Sequence, residues 1–363
     1  MKKKKILLEV YLAKNLGDDL FIDIICNKFP EVEFVLNIVN NEHDNFINKY
    51  NNLKRRRYDL IHKFFRKLKV KNVLDNNQIA KEYDAFIILG GSMFIEKEQY
   101  RKLHLDRINL GNKFIENKKP VYILGSNFGP YYSEEFFNMY RTFFEKCTDI
   151  SFRENYSFNL FKDLNNIRVN PDIVFGLEKN NIEKEKRVGF SIINLEKREE
   201  LRSYEETYIK NIIKLIKKAY SEKYFIELFS FCEYEGDLKM INKIKDRLPI
   251  DIREALSVHS YVDDLKNTLN QISKMDIFVA SRFHAVILSQ VFNQGVIPFI
   301  YSDKTLNVLK DIKLDKIAIN INNFEEIDVE KIWEECRGNK INLDKIKVET
   351  ENHFVKLKDF LLS

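Results

Sequence analysis

A hydroxyl, a guanidinium and an imidazole stand within four residues at Ser281, Arg282 and His284, in the run MDIFVASRFHAVILSQVFNQGVIPFIYSDK (275–304). Such a set can hold an anion and move a proton. The surrounding letters decide where it sits. DIFVA (276–280) reads as a short buried strand, Ser281 as the cap of a helix starting at Arg282, and Ala285 to Phe292 as that helix's apolar run; Gly295 ends it and VIPFIY forms a second strand. The first turn of a helix leaves unpaired N–H groups and the positive end of the dipole. Arg282 and His284 do not share a mid-helix face, but at the helix entrance both can reach a ligand on the axis. Tyr301 and Lys304 follow the second strand and are candidates for the same ligand, or else a core tyrosine and a solvated lysine.

Other polar residues fall at turns of the same kind. Asn15-Leu16-Gly17-Asp18 joins a strand at 6–12 to a helix from about Asp19 to Lys28, with Asp18 or Asp19 available as the cap. Gly17 permits a tight turn or a close ligand. Gly90 and Gly91 end the strand within YDAFIILGGSMF (83–94), and Ser126 and Asn127 end the one within VYILGSNFGP (121–130), where they can bond a sugar or phosphate or simply close the turn. Arg153 lies at a strand's carboxyl end, ready to fork onto a carboxylate or phosphate or to pair with Glu154 or another acid. Pro171-Asp172 closes this half. His259, in LSVHSY just before a helix at 261–273, reads as structural.

Ser281-Arg282-Phe283-His284-Ala285 with Pro298, Tyr301 and Lys304 resembles the C-terminal signature of the polysaccharide pyruvyl transferases. In order before it come Asn15-x-Gly17-Asp18, Arg153-Glu154-x-x-Ser157 and Pro171-Asp172, which resemble that family's N-terminal elements; Ser92 stands where the family often has a third glycine. The resemblance implies transfer of a pyruvyl group from phosphoenolpyruvate to two sugar hydroxyls, forming a cyclic ketal and releasing phosphate. It assigns His284 as acid/base and Arg153 and Arg282 to the donor's charge; Ser281, Tyr301 and Lys304 are candidate donor contacts beside them, and Asn15, Gly17, Asp18, Gly90, Gly91, Ser126 and Asn127 are candidate substrate-loop residues. Phosphoenolpyruvate is then a co-substrate, no cofactor or metal is required, and the acceptor is a free or lipid-linked sugar. The helix dipole disfavours an imidazolium at His284, whereas bound donor anions favour it, so protonation should follow donor binding.

Strands alternating with helices give an α/β protein, and the resemblance implies two doubly wound Rossmann-like domains facing across a cleft, as in B-type glycosyltransferases. The expected division is 1–178, then 187–320 with the SRFHA site, then helices in 321–363 packing back across both, with GLEKNNIEKEK (176–186) as linker. A net charge of +5 from 60 basic and 55 acidic residues gives no reason to expect nucleic acid. Cysteines at 26, 147, 232 and 336 have no zinc or redox spacing, and with no export-signal pattern they point to a reducing cytoplasm. The basic run 53–71 reads as a solvated helix, with contact to an anionic membrane surface as its alternative. A nucleotide-sugar glycosyltransferase and a non-catalytic carbohydrate-binding relative are the rival functions.

Overall fold

A computed structural model describes residues 3–56, 76–178, 183–196, 198–321 and 327–363. The chain divides into two compact units: Met1–Tyr11, Phe21–Ile173 and Glu349–Ser363 form the first, Leu12–Leu20 and Val174–Val348 the second. The segment Leu12–Leu20, expected with the N-terminal domain, thus belongs to the second unit, and of the tail only Glu349–Ser363 returns to the first.

The first unit is built on β1 (Lys5–Glu9), β2 (Glu33–Leu36), β3 (Leu53–Arg55), β4 (Ala85–Leu89), β5 (Val121–Ser126), β6 (Asp149–Phe152) and β7 (Ile167–Val169). These lie in the order β3-β2-β1-β4-β5-β6-β7, and every pairing is parallel. Helices cover both faces of such a sheet, so its central strands run apolar: AFIIL of β4 is buried at every position. An aromatic cluster fills one face, with Phe128 in contact with Tyr140, Phe144 and Phe161 at 4.9–6.0 Å between centroids.

The second unit holds β8 (Arg187–Ile192), β9 (Phe225–Ser230), β10 (Leu256–Ser260), β11 (Ile277–Ala280), β12 (Gly295–Ile300) and β13 (Ile319–Asn320), ordered β10-β9-β8-β11-β12-β13 and again parallel. The helix Glu205–Ser221 buries Tyr208, Ile209, Ile212, Leu215, Ile216 and Ala219, the apolar stripe of a 3.6-residue period. In each sheet the strand order reverses once, between β1 and β4 and between β8 and β11. Ligands bind outside the carboxyl ends of strands at such switch points.

Several local expectations are corrected. The first helix starts at Leu16 rather than Asp19, because Asn15, not Asp18 or Asp19, caps it: its Oδ1 accepts from Gly17 N at 3.0 Å and its carbonyl accepts from Asp19 N at 3.1 Å. Leu256–Ser260 is an edge strand, and the helix after it begins only at Leu265. Leu53–Arg55 is also a strand, paired with β2, and the rest of the basic run, 57–71, lies outside the described residues, as do linker residues 179–182. The tail helices are Val329–Glu335, Leu343–Glu351 and Val355–Leu362, the last two separated by a 3-10 turn.

Candidate active site

At the switch point of the second sheet, a side-chain acceptor on β8 receives two backbone donors from the turn after β11. Ser191 Oγ accepts from Ser281 N at 2.9 Å and from Arg282 N at 3.2 Å, which pins the turn between β11 and the helix Phe283–Val291. Ser281 is not the helix cap. Its Oγ accepts from the hydroxyl of buried Tyr208 at 2.9 Å, and the N-cap position falls to Arg282, held extended at φ −100° and ψ 139°.

The Arg282 side chain turns back into the unit and is 6% exposed. Its guanidinium forks onto Asp237, with Nε donating to Oδ2 at 3.0 Å and Nη2 to Oδ1, while Nη1 donates to Glu235 Oε2 at 2.7 Å. Asp237 also accepts from Phe231 N and Cys232 N at 3.2 and 3.0 Å, so the pair fixes the turn after β9. Glu235 is shared with Arg198 at 2.7 Å, and Arg198 stacks 4.6 Å from the Tyr301 ring. Burial alone would raise the Glu235 carboxyl, but Arg282, Arg198 and the more distant Lys304 hold it down at about 2. Arg282 therefore commits its fork to two carboxylates and orders the turn.

His284 is half-buried at the start of the helix, edge-on to Phe283 at 4.9 Å. Its ring lies against Gly17, where a Cβ would overlap Nδ1 and the carbons beside it. The loop bearing Gly17 is anchored to this unit: Leu16 N donates to Phe231 O at 3.1 Å, and Tyr261 OH donates to Asp19. Asn15, Gly17 and Asp18 thus join Ser281, Arg282, His284, Tyr301 and Lys304 in one unit.

The remaining expected residues gather in the first unit. Arg153, 2% exposed, donates from Nη1 to buried Asp172 at 2.9 Å and from Nη2 to Asn127 Oδ1 at 2.7 Å. Its acid is Asp172 rather than Glu154, which instead caps the helix Asn155–Leu160 through Ser157 N. Gly91 lies directly on the guanidinium: a Cβ there would stand 2.6 Å from Nη1. Gly90 adopts φ +113°, a conformation that favours glycine. Ser126 Oγ donates to Gly90 O at 2.5 Å and Asn127 N to Gly91 O at 2.9 Å, so both residues tie the two loops together.

Sequence reasoning missed Glu235 and Asp237, although the acidic EYEGD run (233–237) after a strand was a usable signal. It also missed the buried pair of Glu9, at the end of β1, with Arg107 at 2.6 Å, signalled by a lone acid closing an apolar strand. His259 is bonded to Glu227 and stacked on Phe229 at 4.9 Å. All four cysteines are buried and free. Among the described residues, no cluster of His, Cys, Asp or Glu is arranged to hold a metal ion, and no helix is long and apolar enough to cross a membrane.

The sequence profile described as polysaccharide pyruvyl transferase matches residues 14–303, from the capping loop through the helix entrance and on to Asp303. The chain belongs to that family. This pyruvyl transferase relative is 24% identical, over an alignment of 340 residues covering 78% of each protein, to the amylovoran biosynthesis protein AmsJ of Erwinia amylovora. In fold it is similar to the UDP-GlcNAc 2-epimerase of Methanocaldococcus jannaschii (TM-score 0.61, 11% identity, 99% of each chain). It is similar also to a glycosyltransferase of Rickettsia africae (TM-score 0.58, 12% identity, the whole of each chain). At those identities the likeness concerns the fold: two parallel-sheet α/β units.

Proposed function

We propose that the protein transfers the pyruvyl group of phosphoenolpyruvate to a sugar of a surface polysaccharide or its precursor, forming a ketal. In this reaction the methylene carbon takes a proton and becomes a methyl group, while a sugar hydroxyl adds to the neighbouring carbon. A second hydroxyl then displaces phosphate from that carbon, and each hydroxyl gives up its proton. One group must pass protons, and fixed positive charge must meet a small polyanion.

The observation that carries this reading is the seating of His284: an imidazole at the opening of a helix, at a switch point, with Gly17 keeping space for the ring. His284 supplies the proton relay. The helix N-terminus favours the donor's phosphate and carboxylate. Arg282 acts by holding the Ser281–His284 turn, since its donors face Asp237 and Glu235. Arg153, whose donors face Asp172 and Asn127, orders the loops of the first unit.

The test measures phosphate release from phosphoenolpyruvate with a panel of sugar and lipid-linked sugar acceptors, with mass analysis of the products. Acceptor-dependent release with a pyruvyl mass gain, abolished in His284→Ala, is expected. Stabilisation by a nucleotide-sugar and none by phosphoenolpyruvate in a thermal-shift experiment would replace the reading with glycosyl transfer.

A further inference from the structure

A cavity of about 430 Å³ opens within the first unit, on the loops that follow β4 and β5. Its size is in the range of small-ligand sites, about 300–1,000 Å³. Its walls are set in advance. Phe94 and Phe128 form a bridge, Gly129 N donates to Phe94 O at 2.8 Å, and Glu96 N donates to Pro130 O at 2.9 Å. The Glu96 carboxylate accepts from Tyr132 N, from Ser133 N at 2.9 Å and from Ser133 Oγ. Below them His104 bonds Tyr140 OH and, at 2.9 Å, Ile95 O; burial lowers its pKa to about 4, so it is a neutral floor.

The lining is unsuited to an anion. Glu96, Glu98 and Glu135 outnumber Lys97 and Arg101. The N-terminus of the helix Glu134–Phe144, which would otherwise attract phosphate, is taken up by Glu96 and by Ser133 Oγ, which accepts from Phe136 N at 3.2 Å. What the cavity does offer is a flat aromatic and a loosely held ion pair. Tyr132 is 82% exposed and shares the wall with Phe136, Met139 and Leu105. Arg101 and Glu135 are 3.1 Å apart and well exposed. Such surface pairs hold each other weakly, so both can turn to ligand hydroxyls. An apolar ring face beside carboxylate and guanidinium, with no excess positive charge, matches a neutral sugar: C–H face on the ring, hydroxyls on the pair.

We propose that this cavity is a carbohydrate subsite for a neutral sugar of the acceptor glycan. It rests on the proposal above that the acceptor is a glycan. The full-length protein is tested on a printed array of neutral and anionic bacterial oligosaccharides. Wild type should be retained on neutral saccharides, Tyr132→Ala should lose about 10-fold in retention, and Tyr132→Phe should bind as wild type. Tyr132 is exposed, so its replacement leaves the fold intact. Equal retention of wild type and Tyr132→Ala, retention on anionic glycans alone, or none overturns the subsite. Retention without phosphoenolpyruvate-dependent transfer would remove the pyruvyl-transfer reading and leave the subsite. Transfer with the same acceptor KM in wild type and Tyr132→Ala would remove the subsite alone.

Discussion

His284 owes its place to the missing side chain at Gly17. Gly17 lies inside the helix Leu16–Lys28, and alanine in a helix is ordinarily favoured over glycine by about 1 kcal/mol. A methyl group there would nevertheless overlap the imidazole. Gly17→Ala therefore sets helix propensity against site geometry. The expected result is a protein that melts no more than a few degrees from wild type, with the proposed pyruvyl transfer reduced about 100-fold, the scale expected where a proton-relaying group is misplaced. Phosphate-release kinetics beside thermal melting would check it, and wild-type turnover in the variant would remove Gly17 from the site. The Asn15-x-Gly17-Asp18 element was visible in sequence as a turn. Its contact with a histidine far along the chain was not, because no local pattern records which distant ring a glycine makes room for.

At the level of elements, what could be read was what periodicity encodes. The apolar runs of β4, β5, β11 and β12 appear where the strand pattern puts them. β10 was missed because LSVHS is half-exposed on a sheet edge and lacks a continuous apolar run. Arg282 was read as an open ligand fork because its partners, Asp237 and Glu235, come from another strand-to-helix turn. Asp237 receives that fork and two backbone N–H groups with no exposure to solvent. Asp237→Ala strands a buried guanidinium and two donors, and should cost about 3–5 kcal/mol, the usual effect of removing one partner of a buried pair. Urea unfolding of the second unit, followed at its Trp333, would measure this. A loss below about 1 kcal/mol would mean that Arg282 finds another partner and that the β9 turn does not depend on the pair.

For the whole molecule, the chain passes between its units at 11/12, 20/21, 173/174 and 348/349, so neither unit is a single stretch of sequence. The first is closed by its last segment, Glu349–Ser363. There His353, fully buried, bonds Pro171 O at 2.7 Å, and Arg168, paired with Asp149, donates to Asn352 O at 2.6 Å. Pro171 precedes the aspartate that holds Arg153, which ties the tail to that residue's position. Burial lowers His353 to about 4 from 6.5, and His104 of the same unit likewise. With the folded pKa below the unfolded one, the unfolded chain binds more protons between these values. The stabilisation is thus complete above about pH 6.5 and is lost as pH falls toward 4. Melting temperature should accordingly fall through that window, and fall less steeply in His353→Gln, whose side-chain amide can still donate to Pro171 O but does not titrate. Equal slopes in the two proteins, or wild-type stability that rises on acidification, would show that the neutral histidine does not link the tail to the sheet it closes.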